Sequence, residues 1–167
     1  MAEKKQVHAI HNLRSPDVAI MLPLNNAHAQ ETSALDDASF TALLDMAFYA
    51  RGIDRGATAF LIALDHKASY RSPNFMWFKA ARDSFVYIDR IIVASSARGQ
   101  GIARLLYLDL FSAVTKSGHD RVVCEVNIDP PNLVSEAFHA TMGFEGVGEA
   151  TIHNGTKAVR YLEKTLR

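Results

Sequence analysis

The chain has one cysteine, Cys124, among 167 residues. A single thiol excludes an internal disulfide and a cysteine-rich zinc site. It sits in RVVCEVNI, a strand-like run, where a small buried residue is the plain reading. An excess of charge of one sign is also missing, since 18 Lys and Arg balance 18 Asp and Glu. No overall field therefore favours nucleic acid or an anionic membrane as a partner. Long apolar runs are absent too. The cleanest, ATAFLIAL (57–64), falls far below the ~20 residues that a bilayer span needs. The basic start MAEKKQVHAIHNLRSPD leads into no apolar h-region and does not read as a secretory signal. A cytoplasmic address is expected. Repeats and low-complexity segments are not seen.

What remains is an ordinary globular composition, 49% hydrophobic and 22% charged, and a length suited to one domain with a full core. Residues 1–16 read as a polar leader with room for partial disorder, and 17–167 as the domain. VAIMLPL (18–24) is expected as a first strand, followed by a polar segment with a short helix and a loop. From Ser39, the apolar residues Phe40, Leu43, Leu44, Ala47 and Phe48 mark one helix face, with Asp36, Asp37 or Ser39 as cap. RGIDRG reads as the turn that closes this helix. ATAFLIALD, FMWFKAA and FVYIDRIIV follow as strands two, three and four, with the loop DHKASYRSPN after strand two. IARLLYLDLFSAVTKSG then reads as a helix, RVVCEVNID as strand five, and PPNLVSEAFHATMG as a helix bounded by prolines and Gly143. FEGVGEATI and KAVRYLEKTL close the chain as two strands. The pattern implies an α/β domain with a mixed sheet and helices on its faces.

Between strand four and its helix lies SSARGQGIARLL (95–106). A strand, a glycine turn and a helix start bring free backbone N–H groups together, where an anion can be held. A Walker loop is excluded because no lysine follows either glycine. A dinucleotide fingerprint fails at Arg104, which replaces its third glycine, and too little chain follows for that fold. A tight turn without a ligand stays open. The third reading is R-x-x-G-x-A, carried by Arg98, Gly101 and Ala103. Glycines let the chain approach a pyrophosphate, and the helix N–H groups donate to it without a metal. No metal ligand is expected.

With this turn the chain resembles the GNAT acyltransferase superfamily, whose signature is [QR]-x-x-G-x-[GA] between strand four and the next helix. The superfamily's following region is N-x-x-A-x-x-[FL]-Y-x-x-x-G-F, and N-L-V-S-E-A-F-H-A-T-M-G-F stands here from Asn132 to Phe144. Asn132, Phe138, Gly143 and Phe144 match, while Ser135 and His139 depart. The likeness is close over 85–144 and follows element order over 18–165.

The resemblance implies a GNAT fold, a single domain whose mostly antiparallel sheet splays between strands 4 and 5. It implies transfer of an acetyl group from acetyl-CoA directly to an amine, with the acceptor a small molecule, an amino acid or a protein N-terminus. The backbone of Ile91 and Val93 would bond the pantetheine arm. Arg98, Gly99, Gln100, Gly101, Ile102, Ala103 and Arg104 would cradle the pyrophosphate. Asn132, Ser135 and Phe138 would line the cofactor, and core packing is the alternative for Phe138.

A protonated amine of pKa ~10.4 costs roughly 4.6 kcal/mol to free at pH 7, so a base is needed. Asp89 would supply it, on the strand face of Ile91 and Val93 by period two, with Glu125 the next candidate. The alternative for Asp89 is a pair with Arg90 or Arg82. His139, at the family's tyrosine position, would protonate the leaving thiolate or only line the site. Tyr70, Arg71 and His28 are expected to wall the acceptor. Two other functions remain open, a non-catalytic acyl-CoA sensor and transfer of another short acyl group. A homodimer is also left open.

Overall fold

The computed structural model describes residues 7–167. The first six residues of the expected leader therefore lie outside the described residues. Two of its later residues, His11–Asn12, form a short edge strand, β1. The helix α1 (Val18–Ala27) follows, then α2 (Asp37–Met46), β2 (Tyr49–Ile53) and β3 (Ala59–Asp65). Next come α3 (Pro73–Ala81), β4 (Val86–Val93) and α4 (Ile102–Lys116). The chain closes with β5 (Arg121–Asp129), α5 (Leu133–Thr141), β6 (Glu145–Ile152) and β7 (Lys157–Thr165).

The seven strands build one mixed sheet in the order β1-β2-β3-β4-β5-β7-β6. Each neighbouring pair is antiparallel except β4 and β5. One face packs on α4, through Ile102, Leu106, Leu110 and Val114. The other packs on α1, α2 and α3, through Val18, Met21, Phe40, Leu43, Phe75 and Phe78. The expected arrangement of an α/β sheet covered on both faces is the one observed.

Three segments differ from the sequence reading. Residues 18–24 form the start of α1 rather than a strand: Val18, Met21 and Asn25 are buried at helical spacing. Residues 75–81 also form a helix. Ser72 caps α3 by accepting from the Phe75 N–H, and Pro73 occupies its first turn. Both runs are short and apolar on several sides, where periodicity cannot separate strand from helix. At 75–81 the Ser72 cap favours the helix, while α1 has no side-chain cap and burial of one side against the sheet decides. The third difference is RGIDRG, whose first three residues belong to β2 while Asp54–Gly56 forms the turn. Gly52 is needed in that strand because a Cβ there would stand 2.4 Å from the Ala59 carbonyl oxygen.

Burying Phe75 and Phe78 contributes about 1.5–3 kcal/mol each. That energy fixes α3 beneath the sheet, and with it the Asn74 side chain, which reaches across to β5.

Candidate active site

β4 and β5 pair only at Val86 with Val122 and Tyr87 with Val123. Beyond Tyr87 they separate. β4 stays bonded to β3 as far as Val93, and β5 stays bonded to β7 as far as Asp129. The inner edges of both strands are left unpaired over the rest of their length. A cavity of about 790 Å3 fills the wedge, lined by both strands, the start of α4, α5, the segment after α1 and the β6–β7 turn.

At one end of the cavity stands the glycine turn. Gly101 caps α4 in the left-handed region (φ 77°) and has no side chain to satisfy the helix's first N–H groups. Gly99 has φ 78°, and a Cβ at either glycine would meet nothing within 4 Å. Free donors, open space and the cavity wall coincide here, which suits an anion. Arg98, Gly99, Gly101, Ile102, Ala103 and Arg104 line the cavity, as do Ile91, Val93, Asn132, Ser135 and Phe138. Gln100 is not among the lining residues; its side chain contacts His8 at 3.1 Å. Asn132 caps α5 by accepting from the Ser135 N–H. Phe138 lines the cavity and packs edge-on to Tyr107.

Asp89 lines the cavity, but not from the strand face that period two assigns to it. The β3–β4 register slips between Ile62 and Ala63, which leaves Asp89 as an unpaired bulge residue. Ile88 and Ile91 both pack toward α4, which strict alternation forbids. The bulge turns Asp89 away from the face of Ile91 and Val93. One of its oxygens accepts from Tyr70 (2.6 Å) and the other from Arg90 (2.7 Å), with both partners of the ion pair buried. The pairing alternative is the arrangement found. Arg90 is held further by Asn25 and Ser33, which tie the segment after α1 to β4.

Glu125 has a different setting. Its Oε1 accepts from Asn74 (3.0 Å) and Tyr87 (3.1 Å). Its Oε2 is buried without a partner on the cavity wall. Desolvation, with repulsion from Asp89 second, pushes its pKa up to about 8. Periodicity placed this residue on a strand but carried no sign of Asn74 and Tyr87 or of the lost solvent.

His139 is 4% exposed. Its Nδ1 lies 2.7 Å from the Ser135 carbonyl oxygen, which can only accept, so Nδ1 carries the proton. Its Nε2 accepts from the Tyr107 hydroxyl at 2.6 Å. Burial lowers the histidine's pKa and raises that of Tyr107 well above its ordinary value. The neutral ring thus has no proton to offer on the Nε2 side. Tyr107 is a cavity-lining residue that the motif did not single out.

Of the expected acceptor contacts, Tyr70 and His28 line the cavity and Arg71 does not. His28 accepts from Arg98 at 2.9 Å, its other nitrogen donating to the Leu24 carbonyl. Among the described residues no helix is long and apolar enough to cross a membrane.

The model of the acetyltransferase (GNAT) family matches residues 68–144. Residues 68–144 thus match a GNAT acetyltransferase domain. Solved structures share its fold over nearly the whole length. A ribosomal-protein-alanine N-acetyltransferase from Brucella melitensis is 18% identical, with a TM-score of 0.71 over 95% of this chain and 99% of that one. The Escherichia coli ribosomal-protein alanine N-acetyltransferase is 15% identical, with a TM-score of 0.69 over 96% and 94%. The yncA protein of Salmonella typhimurium, solved with its cofactor acetyl-CoA, is 16% identical, with a TM-score of 0.71 over 97% and 95%. At these identities the likeness is one of fold. No curated protein sequence matches. The GNAT family uses acetyl-CoA, and the residues here fit such a group: the open cradle at Gly99 and Gly101 suits its pyrophosphate, and the unpaired edge of β4 suits its amide-bearing arm.

Proposed function

We propose that this protein transfers an acetyl group from acetyl-CoA to a primary amine within a ternary complex. The observation that carries the reading is Glu125, a carboxyl with one unpartnered oxygen in the wedge between β4 and β5. The backbone of Ile91 and Val93 and the N–H groups of Ile102, Ala103 and Arg104 hold the donor. Asn132, Ser135 and Phe138 line its far wall. When bound, the donor supplies an acyl carbon activated as a thioester.

Glu125, rather than Asp89, takes the proton of the acceptor's ammonium. A carboxylate of ordinary pKa ~4.3 faces a gap of about 6 units from an amine at ~10.4, roughly 8 kcal/mol. With Glu125 at about 8, the gap narrows to about 2.4 units, roughly 3.3 kcal/mol. Both oxygens of Asp89 are already occupied, which suits it to hold Tyr70 and Arg90 in place. The single proton of the Tyr107 hydroxyl is committed to His139 Nε2, so the two residues act as positioning residues for the wall beside α5 rather than as the acid. The cell compartment expected for such chemistry is the cytoplasm.

Release of free thiol from acetyl-CoA in the presence of an amine panel tests the reading, with acetylated products identified by mass spectrometry. Thiol release that needs an amine and disappears in Glu125→Gln supports it. Tight acetyl-CoA binding without turnover on any amine favours the sensor alternative. A faster rate with propionyl-CoA or succinyl-CoA would reassign the acyl group.

A further inference from the structure

The end of the cavity away from the glycine turn has two walls. One is the segment after α1, with Glu31, Thr32 and Ser33 beyond the His28 that bonds Arg98 of the glycine turn; the other is the β6–β7 turn, with Ile152, His153 and Lys157. The turn is firmly built. His153, Asn154 and Gly155 all take left-handed backbone conformations, and the Thr156 amide and hydroxyl both donate to the His153 carbonyl. Lys157 leaves this turn at the first position of β7. Its ammonium donates to the Gln30 carbonyl at 3.2 Å and ties the two walls together.

The charges on this end are unequal in their partners. Arg90 has each of its donor nitrogens committed, to Asp89, Asn25 and Ser33. Arg98 and Arg104 stand on the glycine-turn side, bonded to His28 and the Met142 sulfur respectively. Glu31, beside Gln30, forms no ion pair with Lys157. Among the described residues, Lys157 is the cavity-lining cation of the acceptor end that no carboxylate neutralises. It also lies close enough to Glu125 to pull that carboxyl's pKa downward against the larger effect of burial. The cavity therefore presents on its walls an unpartnered oxygen of Glu125 and, at Lys157, an ammonium that no carboxylate neutralises.

Resting on the acetyl-transfer reading, we propose that the acceptor is a small zwitterion. Its amine sits at Glu125, and an anionic group a few bonds away, such as a carboxylate, displaces the Gln30 carbonyl from Lys157. Size points the same way. The cavity of about 790 Å3 must also take the donor's thioester arm, and the Lys157–Gln30 bond joins two of its walls. Transfer balances without further reactants: the amine nitrogen bonds the acetyl carbon, the carbon–sulfur bond breaks, one proton of the ammonium passes to Glu125, a second passes to the leaving thiolate, and the third stays on the amide nitrogen.

The test uses matched acceptors that differ only in the anion: alanine against alaninamide, methionine against methioninamide, and a tetrapeptide amide. With acetyl-CoA saturating, the acids should exceed their amides at least tenfold in kcat/KM. Lys157→Met should bring that ratio to within about threefold of one, mainly through the KM of the acids, and Lys157→Arg should restore part of it. Amides or the peptide accepted as well as the acids, or a ratio that Lys157→Met leaves unchanged, would overturn the inference while acetyl transfer stands. Failure of every amine, with coenzyme A still bound by calorimetry, would instead remove the parent reading.

Discussion

The Tyr107 hydroxyl donates to His139 Nε2 at 2.6 Å, although the two residues stand 32 positions apart on different helices. Both are buried. The Ser135 carbonyl decides the direction of this bond by holding the proton on Nδ1. The pair fills the place beside α5 where the family motif carries a tyrosine, so a phenol reaches the site from α4 instead.

Removing that phenol should act twice. Tyr107→Phe leaves Nε2 buried without a donor, a cost of about 1–3 kcal/mol. Its melting temperature should fall, and turnover should fall with it as the wall beside α5 loosens. His139→Gln keeps an acceptor for Tyr107, and should retain more of the rate than Tyr107→Phe does. Steady-state kinetics on the same amine and a thermal melt separate the two effects.

Glu125 should set the pH profile. Its proton is held up to about pH 8, so kcat/KM for an amine acceptor should rise through that region as the carboxylate forms. Glu125→Gln keeps the acceptor for Tyr87 and Asn74 but takes up no proton. Its rate should be about 10²-fold lower or less still, without the limb near 8, and coenzyme A affinity by calorimetry should stay within a few-fold.

The same carboxyl should tune stability. Its pKa is raised from an ordinary 4.5. Below that value the folded and unfolded chains both hold the proton. Between about 4.5 and 8 only the unfolded chain releases it, so the folded state loses ground as pH rises, by at most about 1.4 kcal/mol per pH unit, and levels off above. Urea unfolding of wild type and Glu125→Gln should diverge across that window, with the variant gaining in relative stability toward pH 8. Parallel curves would mean that Glu125 ionises normally.

Gly101 faces two demands. Its left-handed backbone disfavours any side chain, while the space beside it is empty. Gly101→Ala should cost about 1–2 kcal/mol of stability from backbone strain alone. Coenzyme A affinity should fall at least tenfold, because the new methyl occupies the cradle. Loss of stability with unchanged affinity would show that the glycine serves the turn and not a phosphate.

Asp89→Asn separates structure from chemistry. The ion pair with Arg90 is buried, and halving it should destabilise the fold by about 3–5 kcal/mol. A thermal melt should show that loss directly. Reduced turnover in this variant would follow from loosening the segment that Arg90 holds, so KM for the acceptor should rise more than kcat falls.

Much of this protein was legible along the chain because its signals are local. The strands β3, β4 and β5, the amphipathic helix α2, and the glycine turn before α4 each follow from residues within a few positions of one another. The two motifs share one cavity as the resemblance implied. Tertiary structure decided what depends on distant partners. The apolar runs 18–24 and 75–81 became helices because a sheet face lay ready to bury Met21, Phe75 and Phe78 from one side. A single bulge opposite Ile62 and Ala63 turned Asp89 out of the alternation that period two assigned to it. Glu125 acquired its high pKa from the loss of water and from Asp89, which outweigh the hydrogen bonds it accepts from Tyr87 and Asn74, and its own strand encodes none of these. Spacing can report which face a residue occupies only while the register runs unbroken, and it carries no measure of what solvent or partner waits there.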